Sequence, residues 1–259
     1  MKKYRISPSL LNKFSDWLNS YELYEKFWGE SENPSMTALE FETKQRAELL
    51  SYLNREPQPL SEAADRGTCL NEIVDRLIGA TPNAGVTVEL KTGAERVASR
   101  NGFVFHFDDE LCEDLATLFR TAIPQYHLCH TYEIGRGCEI ELHGYADYIF
   151  PTQIYDLKTT SKYEGEKYKT NWQRQVYPLI AVDSGAMRVC DSFTFLAIEM
   201  RKRKEDGRLF GKAYEETYSF NADSALGEVL EFLTAAVLPR LDYFQDNGFI
   251  PNQNIISYE

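Results

Sequence analysis

The chain has 259 residues, 43% of them hydrophobic, and carries 28 Lys and Arg against 40 Asp and Glu, a net charge of −12. That length buries a substantial core, and the lack of a Ser/Gly-rich linker, a repeat or a low-complexity tract favours a single domain over 1–259. No apolar run approaches the roughly 20 residues of a membrane span, and the acidic balance is unexpected for a protein that approaches a polyanion, so any such contact must rest on a local surface.

The N-terminal part, 1–80, reads as helices. Ser7 caps and Pro8 opens an aromatic-rich helix over 8–28. Residues 36–54 follow as a helix, and so do 61–78, with Ser61 and Glu62 at the start. A sheet region is predicted over 86–220. Residues 86–107 are mixed, with a strand at Phe103–Phe107, and Asp108 or Asp109 caps a helix reaching about Ile123.

Glu139–His143 alternates polar and apolar residues as a strand does, and Gly144 reads as a turn. Ala146–Phe150 is a second strand, ended by Pro151-Thr152, and Gln153–Lys158 a third. A helix is predicted over Asn171–Ala181, with a kink at Pro178 or a start near Tyr177. Strands at 188–200 and 213–220 flank a hairpin centred on Asp206-Gly207. The remainder, 221–259, is a helix over 222–246 capped by Asn221 and interrupted near Pro239, then a tail.

Chemistry concentrates between 144 and 177. Side chains alternate faces along a strand, so Asp156 and Lys158 point the same way with Leu157 opposed. Pairing of the second and third strands as a hairpin brings Asp147 near Asp156. Two carboxylates brought together repel and call for a cation between them. Mg²⁺ takes oxygen ligands of this kind together with phosphate oxygens and water. Lys158 would then favour hydroxide and the developing negative charge. A D-x-K triplet alone is more often a surface ion pair; the order of the residues and the helix that follows argue for a site. On that helix Gln173 and Tyr177 stand at i and i+4, on one face.

Three runs, Gly144-Tyr-Ala-Asp147, Asp156-Leu-Lys-Thr-Thr160 and Gln173-Arg-Gln-Val-Tyr177, resemble the motifs of the PD-(D/E)XK nuclease superfamily, in particular its RecB-like exonuclease branch. The resemblance implies an α/β fold: a restriction-endonuclease-like αβββαβ core, with a mixed central sheet flanked by helices and an added N-terminal helical region walling the cleft. It implies a metal-dependent DNA nuclease, exonucleolytic, in recombination or repair and of phage or mobile-element type. One or two Mg²⁺ or Mn²⁺ ions would be held by Asp147, Asp156 and the Leu157 carbonyl, with Lys158 as activating base or electrostatic stabiliser. Gln173 would orient Lys158 or contact the DNA backbone, and Tyr177 would pack beside the site. DNA is the expected partner, with a recombination or repair protein as a second.

The resemblance reaches further. The Ser7-Pro8-Ser9 helix start, the Arg66-Gly67 helix and Asn247–Pro251 are all similar to segments of these nucleases. In the Arg-Gly helix many relatives carry a metal-binding histidine four residues after the glycine. Here the position is Asn71, with Glu72 and Asp75 nearby; Glu72 is the candidate for a second metal if the helix is slightly rotated. Relatives often place iron–sulfur cysteines after the last helix. This chain has none after Cys190, and its cysteines at 69, 112, 129, 138 and 190 form no C-x-x-C pair, so neither an iron–sulfur nor a zinc site is expected. The odd count and the lack of a leader peptide point to reduced thiols in a cytoplasmic protein.

Two stretches are locally basic: Lys162, Lys167, Lys169 and Arg174, and Arg201–Lys204 with Arg208 and Lys212. Either could follow a phosphate backbone, aided by stacking from Tyr163, Tyr168 or Trp172. His143 reads as a strand-end residue, and His106, His127 and His130 show no ligand spacing. Asn71 and the acidic charge motivate an alternative, a catalytically weakened nuclease fold that binds DNA or a partner protein.

Overall fold

The computed structural model describes residues 2–89, 95–134 and 137–258. Strand β1 (Lys2–Ile6) leads into helices α1 (Pro8–Leu18), α2 (Ser20–Trp28), α3 (Ala38–Leu53) and α4 (Glu62–Leu77). Strands β2 (Thr87–Glu89), β3 (Glu95–Arg100) and β4 (Phe103–Asp108) precede α5 (Asp109–Phe119). Then come β5 (Ile123–Glu133), β6 (Cys138–Ile149), β7 (Gln153–Thr160), α6 (Gln173–Asp183), β8 (Ser192–Lys202) and β9 (Leu209–Ser219). The chain ends with α7 (Ala222–Glu231), a π-helical turn at Phe232–Val237, α8 (Leu238–Asp246) and β10 (Ile256–Tyr258).

Helix starts follow capping chemistry. Ser7, Ser61, Asp108 and Asn221 each accept a backbone N–H with the side chain, and Thr37 forms a reciprocal capping box with Glu40. The N-terminal helix predicted over 8–28 is two helices, divided at Asn19. The helix after Asp108 stops at Phe119, short of Ile123, because Ile123 already belongs to β5.

The fold is α/β, with a mixed sheet flanked by helices. Its strand order is β10-β1-β6-β7-β8-β9-β4-β3-β2, and β5 pairs β6 off this path. The β1–β6 and β7–β8 pairs are parallel, while β5–β6, β6–β7 and β8–β9 are antiparallel. One face carries α1, α3, α6 and the C-terminal helices, whose Leu10, Phe14, Leu49, Val176, Ile180 and Leu233 pack on Ile6, Leu142 and Ile154. On the other face α4 and α5 lay Leu70, Ile73, Leu115 and Phe119 against Leu157, Leu196 and Ile198. Ile154 and Leu157 therefore serve opposite layers, as the two-residue period of a strand demands. Among the described residues no helix is long and apolar enough to cross a membrane.

The three expected strands at 139–143, 146–150 and 153–158 are regrouped. Gly144 makes no turn: β6 runs unbroken from Cys138 to Ile149, and the third strand of the meander is β5, which lies before it. Gly144 is required for a different reason. A Cβ there would stand 2.6 Å from Tyr177 Cε1 and 2.8 Å from its hydroxyl, so the missing side chain lets the Tyr177 ring of α6 settle on β6. Gly144→Ala should cost roughly 1–3 kcal/mol through overpacking, read as a lower midpoint in denaturant. An unchanged midpoint would show that the ring can shift freely.

Candidate active site

The site is built where two strands part. The β6–β7 ladder consists of two pairs, Tyr148↔Tyr155 and Ile149↔Ile154. Since β5 takes one edge of β6 along its length, β7 and β1 share the other edge at its two ends. Among the described residues, 143–147 have no ladder partner on that second edge. The Asp147 carboxylate fills the fork, and its Oδ2 accepts the Leu157 N–H at 2.9 Å.

Asp156 and Lys158 approach from β7. Asp156 is 2% exposed. Its Oδ1 accepts a hydrogen bond from Gln173 Nε2 at 2.8 Å, and its Oδ2 lies 2.6 Å from Lys158 Nζ. Gln173 thus meets Asp156 rather than orienting Lys158 directly. Tyr177, one turn further along α6, is buried with its ring over Gly144. Pro178 sits inside this helix, which begins at Gln173, so Tyr177 is not its start.

Across the fork, Asn71 of α4 donates to Asp147 Oδ2 at 3.4 Å. Asp75 is one turn along on the same helical face. Glu72 lines the cavity at this fork, with its carboxylate already engaged. Its carboxylate is 2.6 Å from Arg76 Nε and accepts the Asn83 N–H at 3.0 and 3.1 Å. The physical reason is helical phase: a residue next to Asn71 is turned by about 100°, and Asp75 shares the Asn71 face instead. Gly67 is also close, since a Cβ there would be 3.1 Å from Thr159 Oγ1.

These residues line one cavity of about 810 Å³, together with Tyr145 and Gln125. Gln125 escaped the sequence reading. It sits in β5 between Pro124 and Tyr126, which pair Tyr148 and Ala146, so it stands across from Asp147. Its φ of 48° is left-handed, a strained conformation for a non-glycine residue of the kind that gathers at functional sites. No local sequence signal marks it.

The cavity is rich in acceptors. Asn71 Oδ1 is buried without a hydrogen-bond donor, Asp75 Oδ1 has none in good alignment although the Tyr148 hydroxyl and the Gln125 amide lie beside that carboxylate, and Asp156 Oδ2 meets Lys158 as an ion pair without a well-aligned hydrogen bond. Burial first, and then the Asp156 charge, push the Asp147 carboxyl up to about 7. Burial pushes Asp75 up to about 6. Burial works to lower the Lys158 ammonium, but the charges of Asp156 and Asp147 outweigh it and hold the group above the ordinary lysine range. A cation added here would meet oxygens that lack donors and carboxylates that repel each other. Among the described residues no group of three or more His, Cys, Asp or Glu side chains stands ready to hold a metal. A metal would thus depend on the two carboxylates, amide or backbone oxygens, and water or substrate.

The basic stretches are mostly consumed by the fold. Arg201 pairs Glu199, Arg203 pairs Asp108, and Arg208 pairs Asp206. Lys162 and Lys169 pair Glu164 and Glu166. Nor are the aromatic side chains open platforms: Tyr163 stacks on Tyr214, Tyr168 on Phe195, and Trp172 on Phe232. All five cysteines are free thiols.

No protein-family model matches the chain, and no curated protein matches it. A solved structure described as the crystal structure of SSO0001 is similar at 15% identity and a TM-score of 0.32. The match covers 52% of this chain and 62% of that one. Likeness at this level carries no argument about activity.

The raised carboxyl makes a stability prediction. Asp147 keeps its proton in the folded state while the unfolded chain releases its own near 3.8, so metal-free stability falls as pH rises from there through about 7. With a chelator present, Asp147→Asn should melt above wild type at pH 8, by about 2–8 °C. The gap should close towards pH 4, where both states of the wild type are protonated. A gap independent of pH would refute the assignment.

Proposed function

We propose that the chain is a metal-dependent deoxyribonuclease of the PD-(D/E)XK type, similar to the RecB-like exonucleases. The observation that carries this reading is the convergence of Asp147, Asp156 and Lys158 at the fork of β6 and β7, in a cavity where Asn71 Oδ1 and Asp75 Oδ1 are buried without a well-aligned donor. The element order α5, β5, β6, β7, α6, β8 supports the αβββαβ core that the reading implies.

Asp147, Asp156 and the Asn71 amide oxygen would hold Mg²⁺ or Mn²⁺, with the Leu157 carbonyl as a further ligand. The bound ion would polarise the phosphodiester and lower the pKa of a water. In hydrolysis the water oxygen bonds to phosphorus and one ester P–O bond breaks, while the proton that the water gives up is passed through solvent to the departing oxygen. Lys158 stays charged in this setting, so its role is to stabilise the negative charge that develops on the phosphate oxygens. Gln173 holds Asp156 in one orientation, leaving Oδ2 directed towards Lys158. Tyr177 closes the α6 side of the fork. The second reading is a DNA- or protein-binding module, favoured by Asn71 standing where relatives carry histidine.

The test is incubation of end-labelled linear and closed circular DNA with Mg²⁺ or Mn²⁺. Wild type should degrade linear DNA, and Lys158→Ala should lower the rate about 10²- to 10³-fold, as loss of a transition-state donor does. Mn²⁺ binding measured by calorimetry should be lost in Asp156→Asn. Cleavage of circles would replace the exonuclease assignment with an endonuclease one. No cleavage and no Mn²⁺ binding by the wild type would favour the binding module.

A further inference from the structure

A second cavity, of about 310 Å³, lies further along the same strand. Its lining includes Arg5, Ser7, Tyr52, Arg55, Gln58 and His143. His143 and Tyr145 are alternate residues of β6 and share one face on the way to Asp147, where the alternation breaks, since Ala146 packs in one core layer and Tyr148 in the other. At about 3.3 Å per residue, His143 lies about 13 Å from Asp147, a few nucleotides along a strand. Tyr145 stands between them, 60% exposed, with its ring 4.8 Å from that of His127.

The two cavities have opposite chemistry. Around Asp147 the carboxylates outnumber the single ammonium of Lys158; around His143 the guanidinium groups of Arg5 and Arg55 outnumber the Glu56 carboxylate. Two acids temper the second cavity. Glu141 is held by Arg5 at 2.7 Å and Lys3 at 3.2 Å, and Glu56 accepts a hydrogen bond from Asn54 at 3.2 Å. Among the described residues no carboxylate pairs with Arg55. This arginine ends the turn after α3 with a φ of 53°, in the segment 54–61 that carries the chain from one helical layer to the other. Ser7 comes from the N-terminal cap motif that the catalytic reading leaves unused.

We propose that this cavity is a phosphate subsite: it holds a phosphate of the nucleic-acid strand a few nucleotides from the bond cut at Asp147 and Asp156, with Arg55 as its principal cation. The inference rests on the nuclease reading for the identity of the strand. A phosphate suits the site because guanidinium groups bind it through charge-assisted hydrogen bonds, and because the lane between the cavities presents an exposed tyrosine to a base. The subsite would set where the strand lies relative to the cutting residues.

The test measures binding of a short fluorescent single-stranded oligonucleotide by anisotropy in EDTA, with and without a terminal phosphate. Arg55→Asn removes the charge at a left-handed position that asparagine tolerates; Arg55→Lys keeps the charge. The asparagine variant should bind roughly tenfold or more weakly, and its salt slope should fall by about 0.7. The lysine variant should stand closer to wild type. A phosphate-end preference lost in Arg55→Asn assigns a strand end to the cavity; equal weakening for both ends assigns a backbone phosphate. Equal affinity of wild type and Arg55→Asn, or no binding by the wild type, overturns the proposal.

With Mg²⁺ or Mn²⁺ added, the same variant should raise KM rather than lower kcat. Cleavage with an unchanged KM sinks the subsite and spares the nuclease. Arg55-dependent binding with no cleavage supports the subsite and sinks the nuclease.

Discussion

The hydrogen bond from the Leu157 N–H to Asp147 Oδ2 is the contact on which the site depends. It stands where a main-chain acceptor would continue the β6–β7 ladder, and so lets the two strands separate without stranding a buried donor. Once they part, Asp147 and Asp156 face a common space instead of pairing across a sheet. The α6 side of the gap is closed by Tyr177, which reaches β6 only because Gly144 has no side chain. Backbone geometry, one carboxylate and one glycine together produce a cleft inside an otherwise continuous sheet.

Charge balance explains why the cleft can persist. Two carboxylates and one ammonium leave an uncompensated negative charge if all are ionised, and the low-dielectric surroundings magnify it. The Asp147 carboxyl responds by retaining its proton more readily. Gln173 and Asn71 supply neutral donors, which orient the acids without cancelling their charge. The acids are thus oriented without being neutralised, the reverse of an ordinary structural ion pair. Glu72 illustrates the contrast: paired with Arg76 and bonded to the Asn83 backbone, it is satisfied as it stands.

The open stretch of β6 also organises what surrounds it. It ends at the acid-rich fork in one direction and at the Arg5, Arg55 and His143 cavity in the other. The crossing segment 54–61 passes this gap because α3 and α4 belong to opposite layers. A strand edge left free by β1 and β7 is thus used both to position the acids and to gather cations from distant parts of the chain.

Much was legible in the sequence where short-range physics decides. The caps at Ser7, Ser61, Asp108 and Asn221 announced their helices, because a side-chain oxygen satisfies an N–H two or three residues away. Strand alternation set Asp156 and Lys158 on one face, and helical spacing aligned Gln173 with Tyr177. Gly144 was misread as a turn because glycine signals both turns and close approaches, and only the arrival of Tyr177 distinguishes them. The short strands β1 and β10 left no pattern strong enough to read, since their pairing partners lie far away in the chain. The sequence by itself determined which residues could share a face, because that depends on local periodicity. Only the tertiary structure decided that Asn71 reaches Asp147, that Gln125 lies across from the same aspartate, and that Arg55 and His143 line one cavity, because these juxtapose segments whose separation no local rule encodes.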